Sequence, residues 1–128
     1  MVDRSHIRLG ELQLKILKVL WTCGPSNVAE VRERLGGGRL AYTTVATMLR
    51  KMENRNLVRH REQGRKFIYE AAVAAKEVSR SMADQLVDRI FDGSLSATVS
   101  HLLETREVDP EELARLEKMI QAQKKNSR

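Results

Sequence analysis

Thr43, Thr44, Thr47, Arg50, Lys51 and Asn54 fall at spacings that gather them on one side of a helix beginning near Tyr42, and a basic segment carrying Arg61, Arg65 and Lys66 follows. Guanidinium and ammonium groups pair with phosphate oxygens, and a guanidinium also forks onto guanine edges. Threonine adds a hydroxyl and a methyl, and the methyl can pack against thymine. The chemistry these residue types can do is reversible binding in the major groove of double-stranded DNA. A charged helix face is often no more than a solvated one. Three threonines speak against that here, because an ordinary exposed face gains more from Glu, Lys, Gln or Ala.

The elements that must hold these residues are legible around them. Val45, Met48, Leu49 and Met52 recur at i, i+3, i+4 and i+7, so the helix lays its opposite stripe on a core. Glu53 is the only acid on it, and its position lets it point toward solvent. Residues Leu57 to Arg61 and Lys66 to Tyr69 favour strands, with Gln63-Gly64 as the expected turn. Alternation puts Arg59 and Arg61 on one face, with Phe67 and Tyr69 sharing a face on the returning strand. Arg65 and Lys66 then sit at or beside the tip, where a wing reaches the sugar-phosphate backbone.

Upstream, Leu12, Leu14, Ile16, Leu17, Val19, Leu20 and Trp21 predict a largely buried helix from about Glu11 to Cys23, stopped by Gly24-Pro25. Ser26 or Asn27 caps the next helix, Asn27 and Glu30 standing at capping-box spacing, and Val28, Val31 and Leu35 form its buried stripe. Gly36-Gly37-Gly38 lacks the preceding strand and the following Gly-Lys-Ser/Thr of a nucleotide loop, so it is read as the turn between two helices. Residues 1–73 are thus expected to form a winged helix-turn-helix DNA-binding domain.

Residues 74–128 are expected to be helical throughout. Met82, Leu86, Ile90 and Phe91 form one stripe, Leu95, Val99, Leu102 and Leu103 the next, and Leu113, Leu116 and Ile120 a third. Asp109-Pro110-Glu111-Glu112 is a helix start with an Asp cap and Pro at the first helical position. Three short amphipathic helices with few large residues do not readily enclose a core of their own. They are expected to pair with the same segment of a second chain, giving a homodimer that reads an inverted repeat. The fold class expected is therefore mostly α with a small β-hairpin, an N-terminal winged helix-turn-helix followed by a C-terminal helical dimerisation region.

Charge divides along the same line. The chain of 128 residues carries net +6, but residues 1–73 hold 14 Lys+Arg against 7 Asp+Glu (+7) and residues 74–128 hold 9 against 10 (−1). A basic head with a near-neutral tail suits a polyanion-binding unit joined to a second function. Aromatics are only 4%, too few for a stacking platform on single strands. Cys23, the one cysteine, excludes an intramolecular disulfide, fits a reducing compartment and is expected to be a small buried side chain. No apolar run approaches a membrane span and no signal peptide is evident, so a cytoplasmic protein without membrane insertion is expected.

His6, His60 and His101 lack ligand spacing, so no metal and no cofactor is expected. An enzyme would need a nucleophile with an oriented base, and neither is legible. A winged helix that binds a protein instead of DNA would present a neutral or apolar recognition face, whereas this one is basic.

The segments LGELQLKILKVLW at 9–21, VAEVRERL at 28–35, LAYTTVATMLRKMENRNLVRHREQGRKFIYE at 40–70, FDGSLSATVSHLLE at 91–104 and DPEELARLEKMI at 109–120 resemble the BlaI/MecI penicillinase-repressor family of bacterial transcription regulators. The likeness spans nearly the whole chain and is most specific in AYTTV with its leucine-rich helix and basic wing. It implies a homodimer that binds an operator palindrome and blocks transcription. In members governing β-lactam resistance, a membrane sensor pathway leads to a protease cut in the dimerisation region, commonly between Asn and Phe. The corresponding position here is His101-Leu102. Copper-responsive relatives end in clustered cysteines, which this tail lacks.

Overall fold

The computed structural model describes residues 7–36 and 39–127. Gly37 and Gly38, part of the glycine turn read from the sequence, lie outside them, as does His6. The described elements are α1 (Glu11–Cys23), β1 (Ser26–Asn27), α2 (Val28–Arg34), α3 (Tyr42–Asn54), β2 (Val58–Gln63), β3 (Lys66–Ala71), α4 (Ala75–Ile90), α5 (Leu95–Thr105) and α6 (Pro110–Asn126). The chain divides into two compact units, with the division after Gln85.

In the first unit, Ile16, Leu17 and Leu20 of α1 meet Val28 and Val31 of α2 and Val45, Leu49 and Met52 of α3 in one buried cluster. Leu57, Val58, Tyr69 and Val73 close it from the sheet side, and Ile7 and Val78 complete it. Met48, the fourth residue of the expected α3 stripe, is half-buried. Trp21 donates its indole N–H to the Val73 carbonyl at 2.9 Å, so its polar edge is satisfied where its ring packs. Asn27 and Glu30 form the expected capping box, each side chain accepting from the other's backbone N–H at 2.9 Å.

The sheet has three strands in the order β1-β3-β2, all antiparallel. The short β1 was not expected. It pairs Ser26 with Tyr69 and Asn27 with Ile68, and so ties the wing's returning strand to the start of α2. The hairpin turn also differs by one residue from the expectation. Gln63 pairs with Lys66, leaving Gly64-Arg65 as the two-residue loop, with Gly64 at φ 65°. A two-residue hairpin loop with positive φ at its first position asks for glycine there, and that places the turn.

Between α3 and β2 the chain reverses on a Schellman motif. Asn56 takes the left-handed conformation (φ 62°), its N–H bonding the Glu53 carbonyl and the Leu57 N–H bonding the Met52 carbonyl. Leu57 and Met52 are both buried, which supplies the apolar contact that such a cap favours. Cys23 is exposed and not buried. It is the last residue of α1, where the chain turns away at Gly24 (φ 79°) before the next element can cover it.

In the second unit, Asp109 caps α6 by accepting from the Glu112 N–H at 2.8 Å, with Pro110 in the first turn. Ser94 caps α5 through the Ala97 N–H. Among described residues 86–127 only Thr98 is buried.

Candidate nucleic-acid interface

The buried stripe of α3 fixes what its other side presents. With Val45, Leu49 and Met52 fully inside, Thr43, Thr44, Thr47, Arg50 and Lys51 are all exposed. At about 100° per residue they occupy one continuous arc that contains no acid. Arg50 donates to Thr47 Oγ1 at 3.4 Å, one turn back, which steadies the guanidinium along the arc.

Beside that arc lies a groove of about 340 Å³ lined by residues from β1, α2, α3 and β3 and from the wing tip. Tyr42, Ala46 and Arg50 come from α3, Arg65, Lys66, Phe67 and Tyr69 from the wing, and Asn27, Val28 and Ala29 from the β1–α2 junction. The structure thus brings Tyr42, Arg50, Arg65 and Lys66 to one concavity, although Arg50 and Arg65 are fifteen positions apart. Thr43, Thr44, Thr47 and Lys51 are not in the groove lining but on the exposed side of the same helix.

Arg61 is placed differently. Cross-strand pairing sets Arg61 opposite Ile68 and Arg59 opposite Glu70, while His60 and Glu62 oppose Tyr69 and Phe67. By alternation, Arg59, Arg61 and Glu70 share the wing face away from the Phe67 and Tyr69 side chains that line the groove. Arg59 Nε contacts Glu70 Oε1 at 2.9 Å. That hydrogen bond holds the Glu70 carboxyl below its ordinary value against an opposing desolvation, with the charges of Arg59 and Arg61 adding to the lowering.

Tyr69 is buried at the floor of the groove, and burial, then the Glu53 carboxylate, push its phenol above the ordinary value, with Arg50 opposing. Glu53 does not point to solvent. Its carboxylate reaches across to β2, accepting from the His60 backbone N–H at 3.2 Å and lying 2.7 Å from Nδ1 of the imidazole. His60 stacks on Phe67 with ring centroids 4.2 Å apart. Sequence reading missed this contact, because a seven-residue separation across a turn has no periodicity to reveal it.

The residues expected to pair with a second chain are also placed. Met82, Leu86, Ile90, Leu95, Val99, Leu102, Leu103, Leu113 and Ile120 are exposed, and Phe91 and Leu116 are half-buried. Leu95, Leu116, Met119 and Ile120 line one concavity of about 660 Å³, and Val99, Leu102, Leu103 and Leu116 another of about 430 Å³. His101 and Leu102 lie inside α5, with the His101 ring 5.5 Å from Phe91. Among the described residues no cluster of His, Cys, Asp or Glu could hold a metal ion, and no helix is long and apolar enough to cross a membrane.

A packed helical head whose third helix turns a basic, acid-free arc outward beside a two-stranded wing is a winged helix-turn-helix. The chain belongs to the penicillinase repressor family, whose pattern matches residues 9–122. The family is one of repressors and not of enzymes. A penicillinase repressor of Bacillus licheniformis is 23% identical over 118 residues, 91% of this chain and 92% of that one. The transcriptional regulator BlaI of Mycobacterium tuberculosis is 35% identical over 100 residues, 76% of this chain and 72% of that one. Among solved structures, a MarR family protein from Bacillus stearothermophilus covers 94% of this chain and 76% of its own, at 15% identity and a TM-score of 0.49.

Proposed function

We propose that this regulator is a cytoplasmic, sequence-specific repressor that binds double-stranded DNA as a homodimer on an inverted-repeat operator. The observation that carries the reading is the meeting of Arg50 from α3 with Arg65 and Lys66 from the wing in one groove beside an acid-free arc. In this reading Thr43, Thr44, Thr47, Arg50 and Lys51 face base edges and adjacent phosphates, while Arg65 and Lys66 hold the flanking backbone. Arg61, on the wing's other face, contributes mainly to the surrounding field.

In this reading the DNA-binding head comprises residues 1–73 and the dimerisation region begins at residue 74, with the first turns of α4 also packing onto the head through Val78, Ser81 and Gln85. Support for pairing comes from the apolar side chains of α5 and α6, which stay exposed while only Thr98 is buried among residues 86–127. A contiguous apolar surface of that kind marks a protein contact. Two-fold pairing sets the two α3 helices about 34–36 Å apart or a multiple of it, which matches an inverted repeat.

Release from DNA is a separate matter. A protease cut at His101-Leu102 requires α5 to open first, since that bond lies in the middle of a helix. We place any sensor-driven cleavage there only as a step coupled to local unfolding of α5.

A mobility-shift titration of the full chain across salt concentrations tests the DNA reading. Affinity is expected to fall with a log-log slope of about −0.9 per phosphate neutralised. No measurable binding to duplex DNA at low salt would overturn it and favour a protein-binding winged helix instead.

A further inference from the structure

Glu53 stands in the last turn of the helix that faces DNA, an unfavourable place for an acid beside phosphates. Its two contacts with His60 account for it. The backbone N–H of His60 points outward from the free edge of β2, where no strand pairs with it, and the carboxylate accepts that donor at 3.2 Å. Both carboxylate oxygens lie 2.7 Å from Nδ1, and because an ionised carboxylate only accepts, Nδ1 is the donor. His60 in turn lies flat on Phe67 and 5.5 Å from Tyr69, the two rings that line the groove.

The opposite strand is held at the same level. His60 pairs with Tyr69, and Tyr69 pairs with Ser26 of β1. At this one register β3 is tied to the head by β1 and β2 is tied to it by Glu53. Outward from Ile68 the sheet has two strands only, and there it carries Arg65 and Lys66.

We propose that Glu53 is a positioning residue for DNA binding: through His60 it fixes the angle of the wing to α3, and with it the spacing between Arg50 and the tip cations. This rests on the DNA-binding reading above. Three strand steps carry His60 to the level of Gln63 and Lys66, and the Gly64-Arg65 loop lies about one step further out, a lever of roughly 13 Å at about 3.3 Å per residue. A tilt of about 10° at its base moves the tip by roughly 2 Å, well beyond the spread of about 0.5 Å that N–H···O distances tolerate. The Schellman turn at Asn56 sets where the wing leaves the helix, and Glu53 sets where it points.

The test uses the full chain and a duplex selected by the wild-type protein from a random-sequence library. Affinity is measured for wild type, Arg65→Ala, Glu53→Gln and the double variant, with salt dependence for each and urea unfolding to follow the fold. In the wild-type background Arg65→Ala is expected to weaken binding roughly tenfold, the loss of one charge-assisted phosphate contact. In the Glu53→Gln background it should weaken binding less than about twofold, and the salt slope of Glu53→Gln should fall by about 0.9 for each wing phosphate lost. His60→Ala, at an exposed position, repeats the experiment from the other partner and should blunt the Arg65 effect in the same way. A merely structural role would lower stability and leave the Arg65 effect intact in both backgrounds, which would overturn the inference alone. Failure of wild type to select any duplex would overturn it together with the DNA-binding reading.

Discussion

The Oγ of Ser81 accepts a hydrogen bond from the backbone N–H of Ile7 at 2.8 Å, seventy-four positions away in the chain. Both residues are buried, and Gln85 adds a second bond, from its amide to the Ile7 carbonyl at 2.9 Å. The first turns of α4 thereby complete the head by satisfying the polar backbone of the segment before α1.

Replacing that hydroxyl should be costly. Ser81→Val keeps nearly the same volume but leaves the buried Ile7 N–H without its partner, at about 1–3 kcal/mol. Urea unfolding followed by circular dichroism should show the midpoint falling with an unchanged slope. An unchanged midpoint would mean that the N–H finds water.

The two faces of the wing should respond differently to truncation. Arg65→Ala is expected to weaken binding to specific and random duplexes alike, as the loss of a phosphate contact does. Arg61→Ala, on the face shared with Arg59 and Glu70, should have a clearly smaller effect in the same titration. An equal loss for both variants would show that DNA reaches around the wing.

Arg50 carries the sequence-reading expectation. If its guanidinium forks onto a base, Arg50→Ala should cost roughly 1–3 kcal/mol on the preferred sequence and relax preference at one position. Competition between selected and random duplexes measures this directly. A uniform loss across sequences would reassign Arg50 to the backbone.

How much of this was legible beforehand depended on the range of the interaction. Asn27 with Glu30, and Asp109 with Pro110, are local signals, and both helices start where those residues place them. The α3 stripe is equally local, so the arc opposite it could be named residue by residue. By contrast, β1 is two residues long and exists because Tyr69 and Ile68 come alongside it. Glu53 looked like a solvent-facing acid because its partner lies beyond a turn whose direction depends on the left-handed Asn56. Cys23 looked buried because helical spacing does not report where neighbouring elements end.

Acid should act on the back of the wing. Glu70 is held below the ordinary glutamate value of 4.5, chiefly by its hydrogen bond to Arg59. A depressed folded-state value means the contribution is present above the unfolded value and is lost as pH falls through the folded one. The stability gap between wild type and Arg59→Ala should therefore be present at neutral pH and close below about that ordinary value, as read by urea midpoints in a pH series. A gap that stays constant through the acid range would show that the pair contributes nothing through charge.

The proposed pairing of tails should be open to disruption at one residue. Leu103 is exposed in the single chain, and Leu103→Glu would place a carboxylate in an apolar contact, raising the dimer Kd by at least about a hundredfold. Sedimentation equilibrium reads the shift. A monomeric wild type at micromolar concentration would contradict the premise.

Thr98, alone in being buried among residues 86–127, has a further consequence on the proposed assembly. If these helices gain their core only from a second chain, then folding of the tail, association and occupancy of the operator are linked equilibria, each drawing on the others by mass action. Repression would then follow the copy number of the chain more steeply than the affinity of one head allows. An inducing event would need only to lower the concentration of intact tails, leaving every DNA contact untouched.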